Sequence, residues 1–414
     1  MTSMLTVEEA LVKLSSLIRP ISEHEIVPLH SGSDRVLAKP ILAPIDLPPF
    51  DCSAMDGYAC RSTDILEDAK TKLRVIDTSF AGRPATKRVK KSEAIRIFTG
   101  AAMPQGADAV VLQEDVERTD QDIFFRTIAP PGHNVRRRGH DIRKGVDLAP
   151  TGAHLNAYQL SWLAASGITQ LSVLRKVRIS IFSTGDELAD PGEKLEFGQI
   201  YDSNRVTLRE LLRDKPVVLK DLGRLPDDSK AIKRAIIKAQ KESDLIITSG
   251  GVSVGDADFV RSVIESIGEL TFWKLALKPG KPLAVGKIGP TVFFGLPGNP
   301  ISTIITYLLF VAPAIDLFCG QKFRTPILIK ASLITSVRHN PGRREYQRGI
   351  LTPNDDRLEV VPTGDQSSNR LATFAKANCL IVIPETKGNL EQGELVDVLL
   401  IPEQRLHPMT FQNK

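Results

Sequence analysis

Cysteine is scarce: Cys52, Cys60, Cys319 and Cys379 are the four present, and no two form a CxxC pair. Neither a zinc site nor a disulfide framework is indicated. Charge of one sign is scarce too. The 54 basic residues barely outnumber the 49 acidic ones, for a net charge of +5. That balance suits an anionic ligand but is far from a nucleic-acid footprint. A clean membrane-length apolar run is also missing. The richest run, Ile301 to Leu317, is interrupted by Pro313 and Asp316. It falls short of the ~20 residues a span needs and reads as a buried core helix. The N-terminus lacks the basic-then-apolar order of a signal peptide, so a cytosolic (cytoplasmic) protein is expected. There is no P-loop, no GxGxxG after a strand, no HExxH and no nucleophile elbow, which weakens kinase, Rossmann dehydrogenase and serine hydrolase readings.

What is present is an ordinary globular composition, 42% hydrophobic and 25% charged over 414 residues, enough for roughly two to four domains. Thr6-Val-Glu-Glu9 is a capping box, and Leu11, Leu14 and Ile18 give the helix behind it one apolar stripe. Between Ile26 and Pro49, Pro28, Pro40, Pro44, Pro48 and Pro49 argue against a compact helix and predict a strand or an elongated arm. Asp56-Gly57 between apolar anchors reads first as the turn of a hairpin or loop. β-like runs at Leu73–Asp77, Ala94–Phe98, Ala109–Gln113 and Asp122–Thr127 predict a small β-rich domain ending near Asp141. Arg136-Arg137-Arg138 reads either as a solvated face or, with Gly139 and Asp141 beside it, as an anion or metal contact. Leu155 to Ala165 reads as a helix.

From Val177 the pattern becomes strand–helix alternation. Strands are predicted at Val177–Phe182, Val217–Leu222, Leu245–Thr248, Thr271–Leu277 and Thr291–Phe294. Leu208, Leu211 and Leu212 mark one helical stripe, and Ile232, Ala235, Ile236 and Ala239 another. This is a doubly wound α/β domain. Beyond about Lys322 the helices stop. Runs at Ile327–Ile334, Tyr346–Leu351, Leu358–Pro362, Leu380–Ile383 and Leu395–Ile401 predict an all-β C-terminal domain.

In open α/β sheets ligands bind beyond the carboxyl ends of the strands. That rule gathers Ser183 to Glu187, Asp227 and Asp228, Ser249-Gly250-Gly251 with Asp256 and Asp258, Lys278, and Gly298-Asn299. Glycine pairs after a strand let backbone N–H groups approach a ligand, and a helix N-terminus favours anions. Acids in a phosphate-binding cleft usually need Mg²⁺ to relieve their repulsion. Asp228 reads better as a helix cap than as a catalyst, leaving Asp227 as the functional candidate; Asp256 also has a capping reading, whereas Glu187 has none. Lys274 and Lys278, four apart on one expected strand, would share a face with α-carbons about 13 Å apart. Lys278 would then serve phosphate at the rim and Lys274 a second anionic group deeper in.

Several longer motifs now stand in order: Phe50 to Ala59, Ser183 to Leu188, Gly198 to Asn204, Ser249 to Asp258, Lys278-Pro-Gly-Lys-Pro282 and Gly295 to Pro300. Together they resemble the MoeA family, the molybdopterin molybdenumtransferases of molybdenum cofactor synthesis, related to the C-terminal domain of gephyrin. The resemblance spans nearly the whole chain. It implies a multidomain α/β and β protein. An elongated discontinuous domain (1–45 and 142–176) would serve dimerisation, followed by a β-rich domain (46–141). A MogA-like α/β molybdopterin-binding domain (177–325) and a C-terminal β-barrel-like domain (326–414) would complete it. It also implies a homodimer whose active cleft joins the α/β domain of one subunit with the β-rich domain of the other. The implied reaction takes adenylylated molybdopterin and molybdate to molybdenum cofactor and releases AMP, with Mg²⁺ as cofactor.

Carried over residue by residue, the resemblance puts Asp56, Thr99 and Asp141 in the β-rich domain's share of the site. Glu187, Asp227, Asp258, Lys274 and Lys278 are the α/β domain's share, and Arg348 and Ser368 the C-terminal domain's, with Ser367 where the family usually has glycine. Ser249, Gly250, Gly251, Lys281, Pro297, Gly298 and Asn299 are expected to bind substrate. Asp258 and Glu187 would hold Mg²⁺ or position water, Lys274 molybdate and Lys278 phosphate. Those residue types suit an oxyanion whose metal takes soft sulfur ligands from the dithiolene, and a phosphoanhydride that breaks with metal help. The implied partners are a MogA-type molybdopterin adenylyltransferase and apo-molybdoenzymes. A pterin adenylyltransferase is a competing reading, against which the extra domains argue. A non-catalytic scaffold for protein partners is another, against which the retained acids and lysines argue.

Overall fold

The structure, a computed structural model, describes residues 4–66, 70–252, 259–323 and 326–401. It divides into two compact units, His24–Val173 and the rest of the described chain.

In the first unit a six-stranded sheet runs in the order Ala109–Leu112, Gly57–Cys60, Glu93–Ile97, Thr71–Ser79, Asp122–Phe125, Glu117–Thr119. The four predicted β-runs are all there. Asp56-Gly57, however, closes no hairpin. Cys52–Ser53 pairs with Val135–Arg136, whereas Gly57–Cys60 sits between Glu93–Ile97 and Ala109–Leu112. Tyr58, Ala59 and Cys60 are buried, so burial holds this strand mid-sheet and the turn joins two different sheets. Residues on both sides of this sheet in sequence share a second core, in which Val27 and Leu37 pack with Ala149, Leu155, Leu163, Leu171 and Val173. Two of the three adjacent arginines are ion-paired: Arg137 with Asp51 at 2.8 Å and Arg138 with Asp46 at 2.5 Å.

The second unit opens with the helix Val7–Leu17, whose capping box is complete: Glu9 N–H donates to Thr6 Oγ1 and Thr6 N–H to Glu9 Oε2. Its α/β sheet runs in the order Val217–Leu225, Val177–Thr184, Leu245–Ser249, Thr291–Leu296, Pro282–Ile288, Glu269–Lys274. The first four strands are mutually parallel and the fifth is antiparallel to both neighbours. That antiparallel strand was not predicted. Its start, Lys281-Pro282, carries turn residues, yet Leu283, Ala284 and Val285 are fully buried, and burial outweighs the local turn chemistry. Phe182, Ile246 and Phe293 from the strands pack with Ile232 and Ile236 of the helix Ser229–Ala239 and Val260 and Ile264 of the helix Phe259–Ile267.

The apolar run after Pro300 is α-helical to Thr306, π-helical over Tyr307–Val311 and α-helical again to Phe318. It is long and apolar enough to cross a membrane by length and composition, but 72% of it is buried inside the protein, as a core helix is. Beyond it, Arg344–Asn354, Arg357–Pro362, Ile329–Leu333, Leu395–Leu400 and Cys379–Ile383 follow one another around a sheet that closes on itself, Cys379–Ile383 pairing back with Arg344–Asn354. One short helix, Leu371–Ala375, interrupts the expected all-β run.

Candidate active site

The parallel strands Val177–Thr184 and Leu245–Ser249 lie side by side, with Ser183 opposite Ser249. From the first, the chain crosses to Val217–Leu225 on one side; beyond the second, the sheet continues to Thr291–Leu296 on the other. This is a topological switch point, where open α/β sheets place their ligands. A cleft of about 590 Å³ opens there, and Glu187, Asp227, Ser249, Gly250, Gly251, Pro297, Gly298 and Asn299 all line it. Eight of the sequence-expected residues thus come together.

The floor of the cleft is backbone. Gly250 has φ +95°, and a Cβ there would sit 2.5 Å from the Thr184 carbonyl oxygen. Its N–H donates to the Leu296 carbonyl at 3.1 Å, locking the Gly250 turn to the next strand. The rim is acidic. Thr184 Oγ1 donates to Asp227 Oδ1 at 2.5 Å, the Asp186 N–H donates to Asp227 Oδ2 at 3.3 Å, and the Asp227 N–H returns a bond to Asp186 Oδ1 at 3.2 Å. Glu187 is exposed and its carboxylate folds over Gly185, where a Cβ would come within 2.5 Å of it. Asp228 takes the other role expected of it: its Oδ2 accepts from the Ala231 N–H at 2.7 Å as the N-cap of Ser229–Ala239.

Asn204 received no role from the sequence, although its motif was singled out. It stands in the first turn of the helix Ser203–Arg213. Its buried Nδ2 donates to Ser249 Oγ at 2.8 Å and to the Gly298 carbonyl at 2.7 Å. One side chain therefore ties together two loops that line the cleft. The only signal in the sequence was a polar residue two positions behind the helix-capping Asp202.

The C-terminal barrel adds a loop to the same cleft. The Ile301 N–H, in the first turn of the helix behind Asn299, donates to the Ser368 carbonyl at 3.1 Å, and Asn369 lines the cleft. Arg348 is fully buried beneath this loop. Its guanidinium donates to the carbonyls of Asp365, Gln366 and Ser367 and to Thr373 Oγ1 at 2.8–3.2 Å. The serine in the family's glycine position also shapes the loop: Ser367 Oγ and N–H both donate to Asp365 Oδ1. Those two bonds, then Arg370, draw the Asp365 carboxyl down to about 2.

The lysines correct the single-strand expectation. Lys274 ends the edge strand Glu269–Lys274, exposed, with its ammonium 4.4 Å from the Trp273 ring centroid. The backbone then changes partners: the Leu275 N–H donates to the Lys281 carbonyl and the Ala276 N–H to the Leu5 carbonyl. Leu277–Lys278 joins the barrel strand Arg344–Asn354 instead. Lys274 and Lys278 therefore belong to different sheets, and the spacing argument for a shared face lapses. Lys278 Nζ lies 3.0 Å from Glu345 Oε1. Lys281 is exposed. Asp258 and Asp256 lie outside the described residues, and among the described residues no three His, Cys, Asp or Glu side chains form a metal-binding group.

In the other unit, Asp56 and Thr99 meet directly. Thr99 N–H and Oγ1 both donate to Asp56 Oδ1, at 2.8 and 2.7 Å. The main-chain bond first and the hydroxyl second hold the Asp56 carboxyl below its ordinary value. Asp141 is exposed, with its N–H donating to the Leu47 carbonyl at 2.9 Å.

A cleft at the switch point of a mixed α/β sheet, floored by backbone and rimmed by carboxylates, with a closed β-barrel lending it a loop, defines a multidomain α/β and β protein with its ligand cleft at the sheet edge. Comparison with known proteins makes this specific. Residues 5–167 match the MoeA N-terminal region (domain I and II), residues 180–316 a probable molybdopterin binding domain, and residues 330–401 the MoeA C-terminal region (domain IV). The molybdopterin molybdenumtransferase of Haemophilus influenzae is 40% identical over 398 residues, covering 95% of this chain and 98% of that protein. Its counterpart from a Nostoc species is 36% identical over 389 residues, covering 91% and 89%. The solved structure of a molybdopterin biosynthesis MoeA protein from Pyrococcus horikoshii matches with a TM-score of 0.82 at 30% identity, covering 96% of this chain and 100% of that one. The chain belongs to the MoeA family of molybdopterin molybdenumtransferases.

Proposed function

We infer that this chain inserts molybdenum from molybdate into adenylylated molybdopterin, releasing AMP, in the cleft at the switch point of its α/β sheet. The observation that carries this is the backbone floor at Gly250 beside the Glu187 and Asp227 carboxylates. The glycine turn lets a ligand approach the main chain closely there, and the acids favour a cation between themselves and the phosphate oxygens.

The residues suit Mg²⁺, which takes one or two carboxylates and leaves its other positions to water and substrate phosphate. Glu187, exposed at the rim, and Asp258 would hold it. When bound it would neutralise the phosphoanhydride oxygens and orient water. Asp227, pinned by Thr184 and the Asp186 N–H, keeps a fixed carboxylate at the rim. Lys278 would meet phosphate and Lys274 molybdate. Arg348 would act through the loop it supports, which brings Ser368 and Asn369 to the cleft.

The functional form is a homodimer in the cytoplasm. Asp56, Thr99 and Asp141 of one copy complete the cleft of the other. A MogA-type adenylyltransferase supplies the substrate, and apo-molybdoenzymes take the product. The domain division is the one the resemblance implies, with residues 1–45 and 142–176 forming the dimerisation domain.

The test is AMP release from adenylylated molybdopterin with Mg²⁺, with and without molybdate. Molybdate-dependent release coupled to active cofactor, lost in Glu187→Ala, supports the reading. Tight binding without turnover would replace it with a scaffolding role. Mixing Asp56→Ala with Glu187→Ala protein tests the shared cleft: activity should return on mixing, and its failure to do so would place each site within one chain.

A further inference from the structure

We propose that Glu345 and His339, both in the C-terminal barrel, are positioning residues for Lys278. The inference rests on the reading that Lys278 meets a substrate anion.

Lys278 stands directly opposite Glu345 in the short parallel pairing between Leu277–Lys278 and the barrel strand. Its Nζ lies 3.0 Å from Glu345 Oε1, while the other oxygen, Oε2, is 2.7 Å from His339 Nδ1. Exposure falls steeply along this chain: the lysine side chain is 43% exposed, the glutamate 3% and the histidine 1%. A buried carboxylate is costly unless charge and hydrogen bonds compensate it. Here Lys278 supplies the charge and His339 the second bond. The histidine has no other ring partner among the described residues, because its buried Nε2 is unpaired. Its main chain is anchored by the Asn389 side chain, which accepts from the His339 N–H at 3.0 Å. The imidazole thus serves Glu345 alone, and Glu345 serves Lys278.

The functional consequence follows from lysine itself. Its ammonium carries three donors on a flexible stem with high rotamer entropy. Committing one donor to a rigid buried carboxylate orders the stem before substrate arrives and leaves the others facing solvent. The barrel thereby sets where a lysine of the α/β domain can place its charge.

The experiment compares Glu345→Gln, His339→Leu, His339→Gln, Lys278→Gln and the Lys278/Glu345 double variant. The first readout is the KM–kcat split with adenylylated molybdopterin. Glu345→Gln and His339→Leu should raise KM on the order of tenfold to a hundredfold with kcat nearly unchanged. His339→Gln, which keeps a donor for Glu345, should recover most of the loss. The double variant should match Lys278→Gln alone, because coupled residues are not additive. A purely structural role would lower thermal stability and active fraction at constant KM, and that result overturns the proposal. So does an additive double variant.

The second readout needs no activity: acetylation of Lys278 relative to Lys281 in the native protein, read by mass spectrometry. Lys278 should react more slowly than Lys281 in the unmodified protein and catch up in Glu345→Gln. Equal rates in the unmodified protein overturn the proposal even if Glu345→Gln fails to fold. If Lys278→Gln leaves KM unchanged, the substrate role of Lys278 fails; if only the Glu345 and His339 variants behave like the unmodified protein, the positioning role alone fails.

Discussion

Thr99 donates two hydrogen bonds, one from its N–H and one from its hydroxyl, to the same carboxylate oxygen of Asp56. Both favour the charged form, and the carboxyl is held below the ordinary aspartate value of 3.8. For a depressed carboxyl the sign is fixed: its stabilisation is complete above the unfolded-state value and is lost as pH falls through the lower folded one. Thr99→Val removes one bond. A carboxyl-detected NMR titration should show the Asp56 midpoint moving up toward 3.8, and an unchanged midpoint would mean the hydroxyl contributes nothing.

Gly250 and Gly298 face the same cleft but should tolerate alanine differently. At Gly250 the left-handed φ and the Thr184 carbonyl 2.5 Å from a new Cβ predict a loss of at least about 1 kcal/mol by chemical denaturation. At Gly298 the nearest atom to a new Cβ is 3.8 Å away, an ordinary contact. Gly298→Ala should fold normally and weaken substrate binding, because the methyl would stand where the ligand approaches.

Asn204→Ala should cost about 1–3 kcal/mol by leaving the Ser249 hydroxyl and Gly298 carbonyl unpaired. Asn204→Asp keeps the shape but replaces the donor with a second acceptor facing the Gly298 carbonyl. It should be no better than alanine in urea denaturation. Recovery by aspartate would mean shape, rather than the amide N–H, holds the two loops.

Arg348→Lys should fail as a conservative change. An ammonium is a point donor, and it lacks the planar fork that reaches the carbonyls of Asp365, Gln366 and Ser367 together. A loss of about 2 kcal/mol or more is expected, with faster hydrogen exchange confined to residues 364–369. Unchanged exchange there would show that the loop stands without it.

The sequence by itself determined much of this protein, because local signals suffice where chemistry is local. The Thr6–Glu9 capping box, the cap at Asp228 and the β-runs of the first unit are written in adjacent residues, and they stand as read. The glycines and acids of the cleft were legible for a related reason. A parallel strand delivers whatever follows it to one edge of the sheet, so Glu187, Asp227, Gly250 and Gly298 could be gathered from their places after strands.

Only the tertiary structure decided the rest. Turn residues hid the antiparallel strand Pro282–Ile288, which burial creates. Lys274 and Lys278 are four apart, yet Ala276 finds its backbone partner at Leu5 and Leu277–Lys278 pairs with the barrel strand, so the two lysines end in different sheets. The resemblance puts Arg348 in the site, and only the fold shows that its guanidinium holds the main-chain carbonyls of Asp365, Gln366 and Ser367. Asn204 joins Ser249 and Gly298 across 45 and 94 residues. Periodicity reports which residues are apolar and where strands end. Which donor meets which acceptor depends on how separate sheets pack, and the sum of many weak contacts across the fold sets that.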